Sequence, residues 1–314
     1  MTTIFFGGTA YECQPGESVL ECLERNGQQL PSLCRSGTCR VCQQRCITDE
    51  LPGAATFGLR ETAIADGGFL PCVCEPVADI EVRQPAAPVV ATVVEKSELA
   101  PATVRIRLTP ESEYDYRAGQ HLTVHHPAGA SRPYSLASIP TDGYLELHVQ
   151  VIADGEVSPW IANDVQVGEQ LLVGSAQGES FYLPGDPEQP LLLVGVGTGL
   201  APLYGILRDA LNHKHRAPIV VVHAGETSEG LYYEHELHSI AARHRHVAYA
   251  PVVGAPTTAW RDHVPDPSEW RVFLSGAPRA VQATRKAVFA AGATMRNLYV
   301  DPFTPTARAA ASAS

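Results

Sequence analysis

The chain has 314 residues, enough for two or three domains, and its apolar content of 45% predicts a folded, water-soluble protein. A net charge of −11 argues against nucleic acid as a partner, because there is no basic patch to meet phosphates. The longest apolar runs, such as PLLLVGV at 190–196, are too short to span a membrane. The start, MTTIFFGG, lacks the features of a signal peptide, so we expect a cytoplasmic protein.

Residues 1–84 form a cysteine-rich segment that holds all eight cysteines of the chain. TTIFF and TAYEC are expected to be paired strands around a Gly-Gly turn. ESVLECLERNG predicts a helix that starts at the N-cap Ser18, is supported by Glu21 and ends at Gly27. A secreted disulfide domain and a metal or cluster domain both explain many cysteines, and the lack of a signal peptide favours the second.

Three cysteines, Cys34, Cys39 and Cys42, have the spacing C-x4-C-x2-C, and Cys72 follows Cys42 with 29 residues between them. This is the ligand spacing of plant-type [2Fe–2S] ferredoxins. The Ser-Gly-Thr sequence at 36–38 keeps the loop small, so that its N–H groups can point at the sulfurs. A zinc site, which usually takes paired C-x2-C ligands, and disulfides are the alternatives.

Residues 1–84 resemble a plant-type ferredoxin domain, which has the β-grasp fold. In that family the last ligand stands in an L-x-C context, which Leu70-Pro71-Cys72 matches. The resemblance implies that Cys34, Cys39, Cys42 and Cys72 hold the cluster. Cys74 is an alternative to Cys72, and the remaining cysteines are expected to be small buried residues: Cys13, Cys22 and Cys46.

Residues 89–187 alternate apolar and polar side chains, as in TVRIRLTP and YLELHVQVIA, which predicts an antiparallel barrel or sandwich. Within this segment, SRPYSLAS at 131–138 offers groups suited to a flavin. Arg132 can hold a phosphate, and Tyr134 can lie on the isoalloxazine ring. Ser135 can hydrogen-bond near N5, the atom that accepts hydride. By itself the stretch is equally well explained as a turn between strands.

The run Arg132-Pro133-Tyr134-Ser135 resembles the R-x-Y-S flavin motif of the ferredoxin–NADP reductase superfamily. The resemblance implies that these four residues bind FAD and that Tyr134 and Ser135 take part in catalysis. GEVSPWIA at 155–162 fits this interpretation, because Ser158 is a good N-cap and a helix N-terminus can bind the FAD pyrophosphate. The candidate residues there are Gly155, Val157 and Ser158. A capped surface helix would have the same sequence.

Residues 188–303 change period. Buried strands such as LLLVGV and PIVVVHA alternate with helical stretches, which predicts a parallel sheet of α/β type. GVGTGLAP at 195–202 joins the first strand to a helix, and its glycines allow a pyrophosphate to approach the backbone. It resembles the dinucleotide motif of the same superfamily, with nucleotide-binding residues Gly195, Gly197, Thr198, Gly199 and Pro202, of which Thr198 would lie near the nicotinamide.

Three further positions are expected to contact the nucleotide or the flavin. Glu226 occupies the position that contacts the adenosine ribose in the family that the chain resembles. Residues 223–230 contain no Arg or Lys that could bind a 2′-phosphate, which favours NADH over NADPH. Ser275 occupies the position of the family's cysteine near the nicotinamide, which puts participation of a thiol in doubt but leaves Ser275 a candidate at the ring. Phe303, in a terminal D-x-F, would lie near the flavin or would be a buried C-terminal side chain. Residues 304–314 predict a disordered tail.

The predicted protein is therefore a multidomain α+β chain: a β-grasp ferredoxin domain (1–84), an antiparallel FAD-binding β-barrel (89–187) and a Rossmann-like NAD(P)-binding α/β domain (188–303). This order is similar to the reductase components of bacterial multicomponent oxygenases of aromatic or hydrocarbon catabolism. The resemblance implies electron flow from NADH through FAD and the [2Fe–2S] cluster to an oxygenase component. An acceptor in sugar-nucleotide deoxygenation and a non-enzymatic redox sensor are the alternatives.

Overall fold

The computed structural model describes residues 2–48, 50–84 and 86–304. It contains two compact units, Met1–Ala86 and Ala87–Ser314. Apart from Thr304, the predicted tail 304–314 lies outside the described residues. Over the described ranges, none of the helices combines the length and the apolar character that crossing a bilayer requires. The division of the second unit near residue 187 stays a prediction.

The first unit is built on a five-stranded mixed sheet with the strand order β2-β1-β5-β3-β4. Its strands are β1 Thr2–Phe6, β2 Thr9–Cys13, β3 Gln44–Ile47, β4 Gly68–Phe69 and β5 Ile80–Val82. The first hairpin was predicted, and its turn uses Gly7 and Gly8, both at positive φ. The parallel pairing of β1 with β5 completes a β-grasp sheet, which confirms the expected fold.

Three short helices lie beside this sheet: α1 Val19–Arg25, α2 Gly53–Thr56 and α3 Glu61–Ala65. Helix α1 begins with the predicted capping box, in which Ser18 Oγ accepts from the Glu21 N–H at 3.3 Å and Glu21 Oε2 accepts from the Ser18 N–H at 2.9 Å. Gly27, with φ +78°, ends the turn that follows the helix. The buried face of α1, with Val19 and Leu23, packs into the core of the sheet.

The second unit begins with a six-stranded antiparallel sheet in the order β10-β7-β6-β11-β8-β9. Its strands are β6 Val89–Ala100, β7 Thr103–Pro110, β8 His121–His125, β9 Ser131–Ser135, β10 Leu145–Gln150 and β11 Gln170–Val173, with helix α4 Val157–Asn163 after β10. A bridge between Leu136 and Leu147 joins the two edges of the sheet. The sheet therefore closes into a barrel rather than a sandwich.

A five-stranded parallel sheet follows, in the order β14-β13-β12-β15-β16. Its elements are β12 Leu191–Val196, α5 Leu200–Asn212, β13 Ile219–Gly225, α6 Glu234–Arg243, β14 Val247–Val253, β15 Arg271–Gly276, α7 Pro278–Ala290 and β16 Leu298–Pro302. Alternate residues of β12 enter two separate apolar clusters, so both faces of the sheet are covered. The strand order reverses beside β12, where open α/β sheets bind ligands at the carboxyl ends of the strands.

Helix α5 packs directly on the barrel because glycine allows a close approach. A Cβ atom on Gly205 would lie 3.1 Å from the carbonyl oxygen of Leu136 and 3.3 Å from that of Ser138. The bidentate pair of Arg208 with Asp142, at 2.7 and 2.6 Å, joins the same helix to the barrel. The helix that starts at the nucleotide motif therefore rests on the segment that follows the flavin motif.

Candidate functional site

The four predicted cluster cysteines lie on one loop and on the turn that packs against it. The Sγ atoms of Cys42 and Cys72 are 3.2 Å apart, and the backbone N–H of Cys39 donates to Cys34 Sγ at 3.3 Å. Cys34 and Cys39 are exposed, whereas Cys42 is buried. At the centre of the loop Gly37 has φ +75°, and a Cβ atom there would lie 3.2 Å from Val73 Cγ2. Glycine is thus required by conformation and by space.

The chemistry of this loop suits a cluster held by thiolates. Backbone N–H groups of Ser36 and Cys39 lower the pKa of Cys34 to about 6, because they stabilise its thiolate. Burial raises the pKa of Cys42 to about 11. An iron cluster would supply the positive charge that a buried thiolate needs, and the same loop amides would donate to its sulfurs.

The other four cysteines form part of the apolar core of the first unit. Cys74 is fully buried and belongs to the same cluster as Cys13, Cys22 and Cys46. Its carbonyl accepts the first N–H of α1, from Val19, at 2.8 Å. Burial raises the pKa of Cys13 and of Cys74 to about 12 each, so these thiols stay protonated. The structure thus brings Cys72 to Cys42 and directs Cys74 into the core.

The predicted flavin residues lie on β9, at the edge of the barrel sheet. Arg132 and Tyr134 share one face of the strand. Tyr134 is half-buried against the barrel core, and burial raises its pKa well above the ordinary value. Ser135 is buried and pairs with His121 of β8. Pro133 is exposed, which an edge strand tolerates because proline has no N–H to donate.

The second part of the predicted flavin site differs from the prediction in one respect. Helix α4 begins at Val157, and its N-cap position is Glu156, whose side chain makes no capping bond. Ser158 is therefore not the N-cap. Its Oγ accepts from the backbone N–H of Ile152 at 3.1 Å, which closes the turn that contains Gly155. The Ser158 hydroxyl therefore bonds to the turn before the helix and not to an N–H of the first helical turn.

The predicted nucleotide motif connects β12 to α5 as a tight loop. Gly197 has φ +58°, and Thr198 is buried. A Cβ atom on Gly199 would lie 2.1 Å from the backbone oxygen of Ser275, and one on Gly195 would lie 2.9 Å from the Leu200 N atom. Only glycine fits at positions 195 and 199, because the loop packs closely against the start of α5 and the end of β15. Pro202 lies in the first turn of α5, where an N–H has no partner in the helix.

The neighbouring strand ends place three more predicted residues at the same edge of the parallel sheet. Ser275 stands beside Gly195 in the register of β15 and β12, and its buried Oγ has no hydrogen-bond partner among the described residues. The Phe303 N–H donates to the Gly276 oxygen at 2.9 Å. Glu226 is exposed directly after β13. A bound nicotinamide dinucleotide would lie against the glycine loop and could give the buried Ser275 hydroxyl a hydrogen-bond partner.

Sequence reasoning missed several residues around this edge. One is His121, which pairs with Ser135 of the flavin strand. Its charge opposes the effect of burial, which raises the pKa of Asp301 in the D-x-F motif. His223 is fully buried beside Gly195 in the sheet register, and burial lowers its pKa to about 4. A histidine in a continuous apolar strand was the only available signal for His223.

Family models match three consecutive parts of the chain. Residues 6–77 match the 2Fe-2S iron-sulfur cluster binding domain. Residues 90–182 match the oxidoreductase FAD-binding domain, and residues 193–269 match the oxidoreductase NAD-binding domain. The matches support an oxidoreductase whose cofactors are a [2Fe–2S] cluster, FAD and NADH.

Relatives share this arrangement over nearly the whole chain. The reductase subunit of an aromatic O-demethylase from Amycolatopsis sp. is 32% identical, over 95% of this chain and 97% of its own length. A reductase component of naphthalene 1,2-dioxygenase/salicylate 5-hydroxylase systems from Ralstonia sp. is 29% identical over 93% of this chain and 95% of its own length. A CDP-6-deoxy-L-threo-D-glycero-4-hexulose-3-dehydrase reductase from Yersinia pestis is 26% identical over 87% of this chain and 89% of its own length.

Among solved structures, an Amycolatopsis cytochrome P450 reductase covers 97% of this chain and 99% of its own length, with 31% identity and a TM-score of 0.68. The sequence match, the domain matches and this structural similarity agree along the whole length of the chain. The chain belongs to the family of single-chain reductase components in which a [2Fe–2S] ferredoxin domain is fused to FAD-binding and NAD-binding oxidoreductase domains.

Proposed function

We propose that this protein takes electrons from NADH and delivers them one at a time to the catalytic component of an oxygenase. The observation that carries the proposal is the packing of α5 on the barrel. Because Gly205 allows the helix to touch the Leu136–Ser138 segment, the nucleotide motif and the flavin motif belong to one packed unit. A nicotinamide held by the first can then meet a flavin held by the second.

Strand β9 would bind FAD and orient its ring. Arg132 would hold a phosphate of FAD, and Tyr134 would lie along the ring, with Ser135 donating a hydrogen bond beside N5. When bound, FAD accepts a hydride with its two electrons and passes electrons on singly, and the cluster carries one electron at a time. Ser135 is buried, so a flavin held beside its hydroxyl would be partly shielded from water there.

The nucleotide loop sets the position of the donor. The N–H groups at the start of α5 would bind the pyrophosphate, with open space beside Gly197, while Gly195 and Gly199 allow the loop to pack tightly against α5 and β15. Ser275 would donate its hydroxyl hydrogen bond to the nicotinamide amide group, because this buried oxygen has no partner among the described residues. Phe303 would cover the flavin. Glu226 would accept from the 2′-hydroxyl of the adenosine ribose and repel a 2′-phosphate, which favours NADH over NADPH.

In the first unit, Cys34, Cys39, Cys42 and Cys72 would hold the cluster. The contact between Cys42 and Cys72 supports this ligand set, as does the thiolate character of Cys34. Residues 1–84 contain 11 acidic and 6 basic side chains, so the cluster stands in an acidic domain. A basic face on the acceptor protein would be attracted to it.

The names of the relatives support an oxygenase as the acceptor. The Amycolatopsis relative is a subunit of an aromatic O-demethylase, and the Ralstonia relative serves dioxygenase and hydroxylase systems. The Yersinia relative is named for a sugar-nucleotide dehydrase and has lower identity. An oxygenase that acts on an aromatic compound is therefore the favoured partner, and a sugar-nucleotide enzyme is the second candidate.

The first experiment is a visible spectrum of the purified protein under argon, followed by separate additions of NADH and NADPH. We expect a flavin band with cluster shoulders that NADH bleaches rapidly and NADPH slowly. A cluster spectrum without flavin and without bleaching would refute the reductase proposal and leave the redox-sensor alternative. Equal bleaching by both nucleotides would refute only the proposed role of Glu226 and would leave the reductase proposal standing.

A further inference from the structure

A buried polar cluster on the barrel faces the nucleotide-binding part of the second unit. Strand β10 carries Glu146 and His148, both buried. Glu146 Oε1 lies 3.0 Å from His148 Nε2, and Glu146 Oε2 accepts from the Arg107 Nε–H at 2.7 Å. The Glu146 backbone N–H donates to Ser138 Oγ at 3.0 Å, so the backbone of β10 at Glu146 is fixed to the segment that follows the flavin motif.

Two tyrosines at the start of α6 complete this cluster from the other side. The Tyr232 hydroxyl lies 3.1 Å from His148 Nδ1. The Tyr233 hydroxyl donates to Glu146 Oε1 at 3.0 Å and accepts from Arg105 at 3.1 Å. Tyr233 has φ +61°, a left-handed conformation that is uncommon for an aromatic residue. These hydrogen bonds hold it there, so they fix the backbone at the start of α6 against the barrel.

The surroundings of Glu146 and His148 favour one arrangement of protons in this cluster. Burial alone raises the pKa of Glu146, but the hydrogen bonds from His148 and Arg107 and the positive charge of Arg107 bring it down to about 2. Burial lowers the pKa of His148, which favours the neutral ring. A neutral ring next to a carboxylate donates from Nε2, and its Nδ1 therefore accepts from the Tyr232 hydroxyl.

The same cluster reaches the nucleotide loop through an aromatic contact. The rings of Tyr232 and His223 meet edge to face, with centroids 5.3 Å apart. His223 stands beside Gly195, where β12 runs into the nucleotide loop. A continuous buried path therefore runs from this loop through His223, Tyr232 and His148 to Glu146 on the barrel.

We infer that Glu146, His148 and Tyr232 are positioning residues for hydride transfer: they fix the nucleotide loop at one distance from the flavin strand. The inference rests on the proposed function. Apolar side chains can slide past one another, whereas a buried carboxylate with several donors has one geometry that satisfies all of them. Hydride transfer needs the reacting atoms within about 3–3.5 Å, so a shift of about 1 Å slows it strongly.

The test uses full-length protein with FAD and cluster bound, and the variant Tyr232→Phe, which removes one hydroxyl. The matched control is Tyr249→Phe, because the Tyr249 hydroxyl is buried on β14 without a hydrogen-bond partner among the described residues. Rapid mixing with NADH under argon gives the limiting rate of flavin bleaching and the Kd for NADH. Amide hydrogen exchange of residues 136–148 and 197–205 gives a readout that does not depend on turnover.

For Tyr232→Phe we expect a limiting rate at least tenfold lower, a Kd for NADH changed less than threefold, and faster exchange in both segments. Tyr249→Phe should match the parent protein in all three measurements. Tyr233→Phe removes the two hydrogen bonds that the Tyr233 hydroxyl makes across the same contact, to Glu146 and from Arg105, and should also slow bleaching.

A limiting rate within twofold of the parent for both Tyr232→Phe and Tyr233→Phe would overturn the inference. A slower rate with unchanged hydrogen exchange would also overturn it, because the network would then not hold the two parts together. A parent protein that NADH does not bleach would refute the proposed function itself, a result visible before any variant is made.

Discussion

At the scale of single residues, Cys72 and Cys74 are separated by one position yet have different surroundings. Cys72 is half-exposed with its sulfur 3.2 Å from that of Cys42, whereas Cys74 is buried in the core. Cys72 lies within the turn Pro71–Val73 and Cys74 directly follows it, so one side chain faces the loop and the other enters the core. The surroundings assign different roles to two cysteines that the sequence left as alternatives.

We predict that Cys72→Ala loses the cluster, while Cys74→Ala keeps it. The first variant removes a proposed ligand, and the second removes only packing, with a loss of about 1 kcal/mol in the free energy of unfolding. Iron content and the visible absorption of the cluster measure the difference, with FAD content as the internal control. Loss of iron in Cys74→Ala with retention in Cys72→Ala would reverse the assignment.

A second prediction at this scale concerns Glu226 and the choice of nucleotide. Glu226→Arg should lower the ratio of kcat/KM for NADH to that for NADPH at least tenfold, because a guanidinium favours a 2′-phosphate and cannot accept from a 2′-hydroxyl. Glu229→Arg is the matched control, since it makes the same charge change at an exposed position three residues further on. Equal effects of the two variants would show that only overall charge matters.

At the scale of elements, helix α5 connects the two sites. It starts at the nucleotide loop, its inner face lies in the core, and Gly205 places it against the backbone at Leu136 and Ser138. Gly119 makes a second close approach, because a Cβ atom there would lie 2.8 Å from Ile206 Cγ1. Both glycines lie where the barrel and the helix touch, so the spacing of these elements depends on the absence of side chains.

We predict that Gly205→Ala destabilises the second unit by about 1–2 kcal/mol and slows flavin reduction, because the added methyl group forces the helix away from the barrel. Gly53→Ala is the control: Gly53 begins helix α2, and a Cβ atom there would meet nothing within 4 Å. That variant should be neutral or slightly stabilising. A Gly205→Ala protein as stable and as fast as the parent would mean that the contact is loose.

At the scale of the whole molecule, stability and charge depend on groups from many elements. The second unit contains buried neutral histidines, of which His223 has a pKa lowered to about 4 by burial. The unfolded chain binds a proton at this residue below about pH 6.5, whereas the folded chain does so only near pH 4. The unfolded state therefore binds more protons in this window, so stability falls as the pH decreases through it.

We predict that the free energy of unfolding of the second unit decreases as the pH is lowered from 6.5 to 4. In His223→Gln this decrease should be smaller by about 3 kcal/mol. Tryptophan fluorescence in urea reports this unit, because all three tryptophans, Trp160, Trp260 and Trp270, belong to it. His263→Gln, at an exposed position, is the control and should follow the parent. Parallel pH curves for parent and His223→Gln would contradict the prediction.

A final prediction concerns the net charge of −11 and the acidic first unit. Reduction of cytochrome c, a basic acceptor protein, should slow about tenfold between low and 0.5 M salt, because screening removes the attraction between the partners. Ferricyanide, a small anion, should not be slowed by the same salt, which controls for damage to the protein. Equal slowing of both acceptors would show that salt acts on the reductase itself.

The sequence by itself determined the features that depend on neighbouring residues. Alternation of apolar side chains distinguished the barrel from the parallel sheet, because strands have a period of two and a buried parallel strand is apolar throughout. The capping box of Ser18 and Glu21 set the start of α1, and the glycines of 195–199 set the turn before α5. The cysteine spacing indicated a cluster, since a small loop can deliver three sulfurs together.

Only the tertiary structure decided the features that depend on distant segments. Ser158 bonds to the turn at Ile152 and does not cap its helix, and the bridge from Leu136 to Leu147 closes the barrel. The network of Glu146, His148 and Tyr232 joins residues 84 positions apart. No local period specifies such contacts, because they arise when separate elements pack and their buried polar groups must find partners among whatever lies opposite.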